Sequence, residues 1–234
     1  MRKIKPYLVV SFFLIIFVSF IFLVGQTTDN FFGDRPISTS VRESNELHKM
    51  FCKVEKGIVY VYSGNSKTTG FAVSKDGWYI TAGHKVDIDF PEANEIYVKL
   101  DRLLPKQEIF KTTQIIVPSP DLDLLLFKID YKPEFYFKKF RKPMLYEEAW
   151  IFGFRGATNK VPSSVGYITT NVAKPSLLAI STDLVGGNSG SPIINRKGEV
   201  LGVGVKLFVV SGDGLFISGD IVKEYIDKNL RERK

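Results

Sequence analysis

The chain has 234 residues, 44% hydrophobic and 24% charged, a globular balance that excludes wholesale disorder and suits one large domain or two halves sharing a core. Its 32 Lys and Arg against 25 Asp and Glu give a net charge of +7, three units of which (Arg2, Lys3, Lys5) precede the first apolar run, and the rest is too mild to indicate a nucleic-acid partner. A single cysteine, Cys52, excludes an intrachain disulfide and a cysteine-built zinc site, and only His48 and His84 are available for imidazole chemistry.

Residues 1–6 form a short basic segment, followed by Tyr7 to Gly25 (YLVVSFFLIIFVSFIFLVG), which is uncharged and has only Ser11 and Ser19 as small polar side chains. Nineteen residues at about 1.5 Å each reach roughly 28 Å, so 7–25 is predicted to be a transmembrane signal-anchor helix. The cations before it and Asp29 after it put the amino terminus in the cytoplasm and the remainder on the outer face of a cell membrane, crossed once. A cleaved signal peptide and a secreted product is the alternative; Leu23, where a small residue is wanted before Gly25, argues against cleavage. No lipobox cysteine follows the segment, and an exported chain without disulfides suits a bacterial envelope.

Residues 26–52, with Gly33, Pro36 and a polar run from Ser38 to Glu46, read as a tether with one helical turn near Leu47, and His48 within it as a solvated side chain. From residue 53 to 234 the pattern is all-β. Gly57 to Tyr62 is a β-branched and aromatic run closed by Ser63-Gly64-Asn65; Gly70 to Ser74 meets the turn Lys75-Asp76-Gly77 and continues as Trp78 to Thr81, a hairpin signal. Further strands are predicted at 95–100, 113–117, 124–129, 149–154, 165–170, 177–181, 191–195, 200–206 and 214–217. So many short strands between turn residues indicate barrels or a sandwich. Tyr131 to Tyr146 (YKPEFYFKKFRKPMLY) interleaves basic and aromatic residues; it reads as a connector between two halves, with a membrane-surface or nucleic-acid patch as the alternative. The chain closes with a helix capped by Asp220, its apolar face made of Ile221, Val222, Tyr225, Ile226 and Leu230 and its end basic.

Gly186 to Pro192 reads GGNSGSP, in which a serine among glycines follows a tight backbone path that exposes its hydroxyl. The N–H groups of Gly187 and Ser189 are candidate donors to a developing oxyanion, whereas a glycine-rich hairpin turn without chemistry is the bland alternative. A nucleophile elbow is excluded, because Ser191 stands where its last glycine belongs and Pro192-Ile193-Ile194 continues as a strand. A serine nucleophile needs a base, and with His48 in the tether only His84, closing Thr81-Ala82-Gly83-His84, remains. A carboxylate should hold that imidazole. Asp123, opening the apolar run LLLFKI, is the preferred residue and Asp121 the alternative. No HExxH, Walker A or complete dinucleotide-loop pattern is present, so no metal and no cofactor is expected.

TAGH, DLLLFKI and GGNSGSP, in the order His, Asp, Ser, resemble the trypsin-like (chymotrypsin-fold) serine proteases, above all the bacterial HtrA/Deg-type and glutamyl-endopeptidase-like branch. GFAVSKDGWYITAGH, AWIFGF…VGYIT and GEVLGVGV support the likeness, which runs from about Val59 to the terminal helix. The resemblance implies two six-stranded β-barrels with the site between them and peptide-bond hydrolysis through an acyl-enzyme. Ser189 would be nucleophile, His84 the base, Asp123 its orienting partner, and the Gly187 and Ser189 amides the oxyanion hole. The partners implied are a protein or peptide substrate and the membrane, with no nucleic acid. Two departures from that branch are expected: no PDZ domain after the protease region, and a shorter STDLVGG segment before the serine. Asp183, six residues before Ser189, stands where trypsins place a pocket carboxylate and would favour Lys or Arg at P1, while a similar Thr-Asp pair occurs in HtrA-like enzymes that prefer small apolar P1 residues. A catalytically silent or partner-activated peptide-binding module on the same fold is the runner-up.

Overall fold

The computed structural model describes residues 37–64, 66–85, 96–100, 109–116, 122–154, 160–171, 177–182, 184–207 and 212–231. The expected anchor at 7–25, and Asp121 and Asp183, lie outside the described residues. Among those described, no helix is long and apolar enough to cross a membrane.

Helix α1 (Ile37–Val54) leads into β1 (Ile58–Ser63), β2 (Ser66–Ala72), β3 (Trp78–Ala82), β4 (Tyr97–Lys99), β5 (Ile109–Ile116) and β6 (Leu124–Ile129). These six strands close a barrel in the order β1-β2-β3-β6-β5-β4. A second barrel follows from β7 (Glu148–Phe154), β8 (Lys160–Asn171), β9 (Leu177–Ile180), β10 (Pro192–Ile194), β11 (Val200–Leu207) and β12 (Gly214–Ser218), ordered β10-β11-β12-β9-β8-β7, and helix α2 (Gly219–Arg231) ends the described chain. Each of the twelve predicted runs overlaps one of these strands, all paired antiparallel, although β2 and β5 each begin four residues before the run expected there.

Both faces of the central strands are buried, which explains their unbroken apolar runs. In β6, Leu125, Phe127 and Ile129 fill the first barrel with Val59, Val61 and Tyr79. The alternate residues Leu124 and Leu126 turn outward into a seam shared with Trp150, Phe152 and Phe154 of β7, Val203 of β11 and Val222, Tyr225 and Ile226 of α2. Alternation continues in the second barrel, where Ile151, Ile193, Leu201 and Phe216 face inward while Ile194, Val200 and Ile217 join the seam. Each side chain buried this way contributes about 1.5–3 kcal/mol, so the seam holds the barrels together as one body.

Other departures from expectation have identifiable reasons. Residues 37–54 are helical where an irregular tether with a single turn was expected. Its apolar stripe is Leu47, Met50, Phe51 and Val54, spaced i, i+3, i+4, i+7, with Val54 buried and the others packed on the seam. That stripe straddles the assumed boundary at residue 52 and is invisible on either side of it alone. His48 is exposed there, its Nε2 3.6 Å from Cys52 Sγ. β8 begins at Lys160 rather than 165, with Pro162 tolerated beside a register shift opposite Ile151 and Phe152. The last helix opens at Gly219, one residue before the expected cap, and Ser218 Oγ donates to Asp220 Oδ1 at its start.

Candidate active site

Strand pairing brings the histidine and the aspartate together. The β3–β6 register runs from Trp78↔Lys128 to Ala82↔Leu124, so the next residues along meet at the barrel rim. Gly83 N–H donates to Asp123 O (3.2 Å), and the backbone N–H of His84, in the short 3-10 turn Gly83–Lys85, donates to Asp123 Oδ1 (2.7 Å). The second carboxylate oxygen, Oδ2, accepts from His84 Nδ1–H at 2.5 Å. Asp123 therefore grips both the backbone and the ring of His84, which fixes the tautomer with Nε2 free to accept a proton. Burial, the strongest single influence on Asp123, opposes its ionisation. The His84 ring, through its hydrogen bond and charge, together with the backbone N–H groups of His84 and Gly83, outweighs burial and holds the carboxyl below its ordinary range. The two side chains remain 38% and 36% exposed, so the imidazole is open to an incoming molecule.

The serine comes from the other barrel. Between β9 and β10 the loop is built around Asn188, fully buried, whose Oδ1 accepts from Val185 N–H (3.1 Å) and whose Nδ2 donates to Phe154 O (3.2 Å). Asn188 O accepts from Ser191 N–H (2.9 Å), which turns the N–H of the same peptide, that of Ser189, the opposite way. Gly187 has φ +97°, where a side chain is strained. Gly190 has φ +79°, and a Cβ there would stand 2.1 Å from Thr69 O and 2.9 Å from Ala82 N. That close approach brings the serine loop against the end of β3, two residues before His84. Ser189 is half-buried, and among the described residues neither its N–H nor that of Gly187 has a protein acceptor. Nor, among them, does a hydrogen bond join Ser189 Oγ to the His84 ring.

Sequence reasoning missed the residue that fastens the two halves of the site. Thr69 of β2 donates its N–H to Ser189 O (3.0 Å) and its Oγ1–H to Gly187 O (2.7 Å), while Oγ1 accepts from Phe154 N–H (3.0 Å). Its own carbonyl accepts from Thr81 Oγ1 (2.7 Å), and Thr68 Oγ1 adds a hydrogen bond to Ser189 O. Nothing in KTTGF announces this, because the partners lie 118 and 85 residues away.

Two closed six-stranded antiparallel barrels, with a His–Asp contact on one and a serine in a glycine-rich loop on the other, define a chymotrypsin-like fold. The chain belongs to the trypsin-like peptidase domain family, whose model matches residues 68–203. It is similar to the probable periplasmic serine endoprotease DegP-like of Pseudomonas putida, with 29% identity over 157 residues covering 64% of this chain and 31% of that protein. The protein of the same description from Ectopseudomonas mendocina is 31% identical over 166 residues, covering 67% and 32% respectively. The chain thus spans about a third of the length of the curated relatives it matches. Among solved structures, the serine endoprotease from Yersinia pestis superposes with a TM-score of 0.64 at 19% identity, covering 80% of this chain and 68% of that one. An inactive form of the Rv3671c protease from M. tuberculosis gives 0.60 at 18% identity, covering 76% and 89%. At such identities these structures speak for the fold.

Proposed function

We propose that this chain is a membrane-anchored serine endopeptidase that hydrolyses peptide bonds through an acyl-enzyme. The observation that carries the reading is the double grip of Asp123 on His84, with Ser189 presented by a neighbouring loop. In the mechanism, Ser189 Oγ attacks the scissile carbonyl carbon while His84 Nε2 takes its proton, and Asp123 stabilises the resulting imidazolium without being protonated itself. The Gly187 and Ser189 N–H groups receive the oxyanion. His84 then protonates the leaving amine, and a water deprotonated by His84 releases the acyl group from Ser189. Family membership and the resemblance to periplasmic endoproteases support this chemistry, and the uncharged run at 7–25 supports an outward-facing, tethered domain. A cleaved, secreted form is the alternative for location.

Full-length protein should degrade an unfolded substrate such as casein, and Ser189→Ala should not. For Asp183, matched peptides with Arg or Val at P1 decide: faster cleavage of the Arg peptide supports a pocket carboxylate, and preference for Val removes it. A second reading, a peptide-binding module that is silent or awaits a partner, is favoured by the missing hydrogen bond between Ser189 and His84 among the described residues. Casein retained by the folded wild-type protein but never cut would support it.

A further inference from the structure

The connector between the barrels carries features that peptide hydrolysis does not use. Within 131–146, Phe137 is 1% exposed and packs edge-on against Phe71, 5.1 Å between ring centroids, so the segment is fastened down by its aromatic residues. Its cations point the other way. Lys138 and Lys139 are exposed and, with Lys53 near the end of α1 and Lys197 in the β10–β11 turn, surround an open cleft of about 460 Å³ lined by Phe135. The carboxylate that lines the cleft, Glu134, is paired with Lys56 at 2.6 Å, and Lys139 stands 4.0 Å from Glu199, which Arg141 also binds; with Lys53, Lys138 and Lys197 besides, the cleft is positive.

Beyond Arg141 the connector ends in a pinned turn. Arg141 donates to Glu199 (3.2 Å), next to the cleft-lining Lys197 and Gly198 in the chain, and to Glu147 (3.1 Å), so one guanidinium links the edge of the cleft to the turn. Met144 N–H donates to Glu147 Oε2 (3.1 Å) and Tyr146 N–H to Ile168 O (2.8 Å). Held this way, the turn displays Met144, Leu145 and Tyr146, which are 64%, 56% and 76% exposed, beside Val165 and Tyr167 of β8 at 51% and 54%. Tyr146 has φ +62°, a strained conformation for a residue with a Cβ. Five exposed apolar side chains on a rigid support mark an interaction surface.

Lysines beside tyrosine and aliphatic side chains match the chemistry of a bilayer surface: ammonium groups meet lipid phosphates, tyrosine rests at headgroup level, and Met and Leu enter the acyl boundary. The nineteen-residue uncharged run lies just ahead of α1, and α1 delivers Lys53 to this cleft. A domain tethered by that run meets the bilayer at high effective concentration. We propose that this face, from the lysine cleft to the Met144–Tyr146 turn, docks the protein on an anionic phospholipid bilayer. The docking relies on the anchored reading for proximity and not for its chemistry.

The test uses the full chain with Cys52→Ser and Leu145→Cys, labelled at the new thiol with an environment-sensitive nitrobenzoxadiazole dye. It is reconstituted into vesicles of phosphatidylcholine alone or mixed with phosphatidylglycerol. In the anionic vesicles the emission should shift to the blue, be quenched by headgroup-region nitroxide lipids, and revert in high salt. Replacing Lys53, Lys138, Lys139 and Lys197 together by Gln should weaken docking by roughly fivefold per lysine, with the circular dichroism spectrum unchanged. A water-exposed dye in both kinds of vesicle overturns the proposal. Washing the vesicles in alkaline carbonate tests the anchor separately, since release of the chain refutes the anchor while the spectrum taken before the wash still decides docking.

Discussion

Replacing Thr69 by Val should damage both the stability of the fold and the chemistry of the site, because it keeps the shape of the side chain and deletes its oxygen. Phe154 N–H and Gly187 C=O, now 3.0 and 2.7 Å from Thr69 Oγ1, would then be buried without that partner. Each orphaned group costs about 1–3 kcal/mol, so the substitution should destabilise the fold by about 2–6 kcal/mol. That is a large share of the roughly 5–15 kcal/mol available to an ordinary domain. The backbone hydrogen bond from Thr69 to Ser189 survives, so the loop should loosen at Gly187 rather than detach. Losing one oxyanion donor outright costs about 10²–10³ in turnover; under the proposed mechanism, in which Gly187 N–H is such a donor, its displacement should cost part of that, roughly 10–10²-fold, mostly in kcat. Thr69→Ser keeps both hydrogen bonds and should lose about 1 kcal/mol with its methyl group. Urea unfolding followed by tryptophan fluorescence suits the comparison, since Trp78 and Trp150 both sit in the seam. If Thr69→Val unfolded with Thr69→Ser, within about 0.5 kcal/mol, Thr69 would not be the fastener described above.

Gly190→Ala should be severe, since its Cβ would stand 2.1 Å from Thr69 O and 2.3 Å from Thr81 Oγ1 in a left-handed conformation; a loss of about 2–4 kcal/mol by urea unfolding is expected. Gly186→Ala, with nothing within 4 Å of the new atom, is the control and should stay within about 0.5 kcal/mol of wild type. Tyr225, buried and donating its hydroxyl to Leu124 O at 3.2 Å, has its ionisation pushed up to about 12, chiefly by burial. The folded state thus keeps this proton more tightly than the unfolded chain does. The resulting stability is fully present below the ordinary tyrosine value near 10 and is lost as pH rises toward about 12, by roughly 2–3 kcal/mol. Tyr225→Phe should flatten that alkaline decline in thermal unfolding scans, and parallel curves for the two proteins would rule the assignment out.

The strands were legible because their signal is local. GIVYVY and LLLFKI are β-branched or apolar runs bounded by turn residues, and Asp76-Gly77 marks a hairpin without help from tertiary structure. Which face of each run points inward was not legible: with both faces buried, Leu124 and Leu125 look equivalent, and only barrel closure sends one to the seam and the other to the interior. His84 and Asp123 could be named because histidines are scarce and a carboxylate at the head of an apolar strand is costly without a partner. Their union by strand register awaited the pairing of β3 with β6. Thr69 stayed hidden because a threonine in a strand is unremarkable by composition. The stripe from Leu47 to Val54 was cut by a boundary drawn through its middle.

The most direct test is fluorophosphonate labelling of the folded full-length protein beside Ser189→Ala, His84→Ala and Asp123→Asn. The account predicts that wild type is labelled at Ser189, that the first two variants are not, and that Asp123→Asn reacts far more slowly because the imidazole loses the acceptor at 2.5 Å that sets its tautomer. Labelling that persisted undiminished in His84→Ala, or a folded wild-type protein that never reacted, would contradict it.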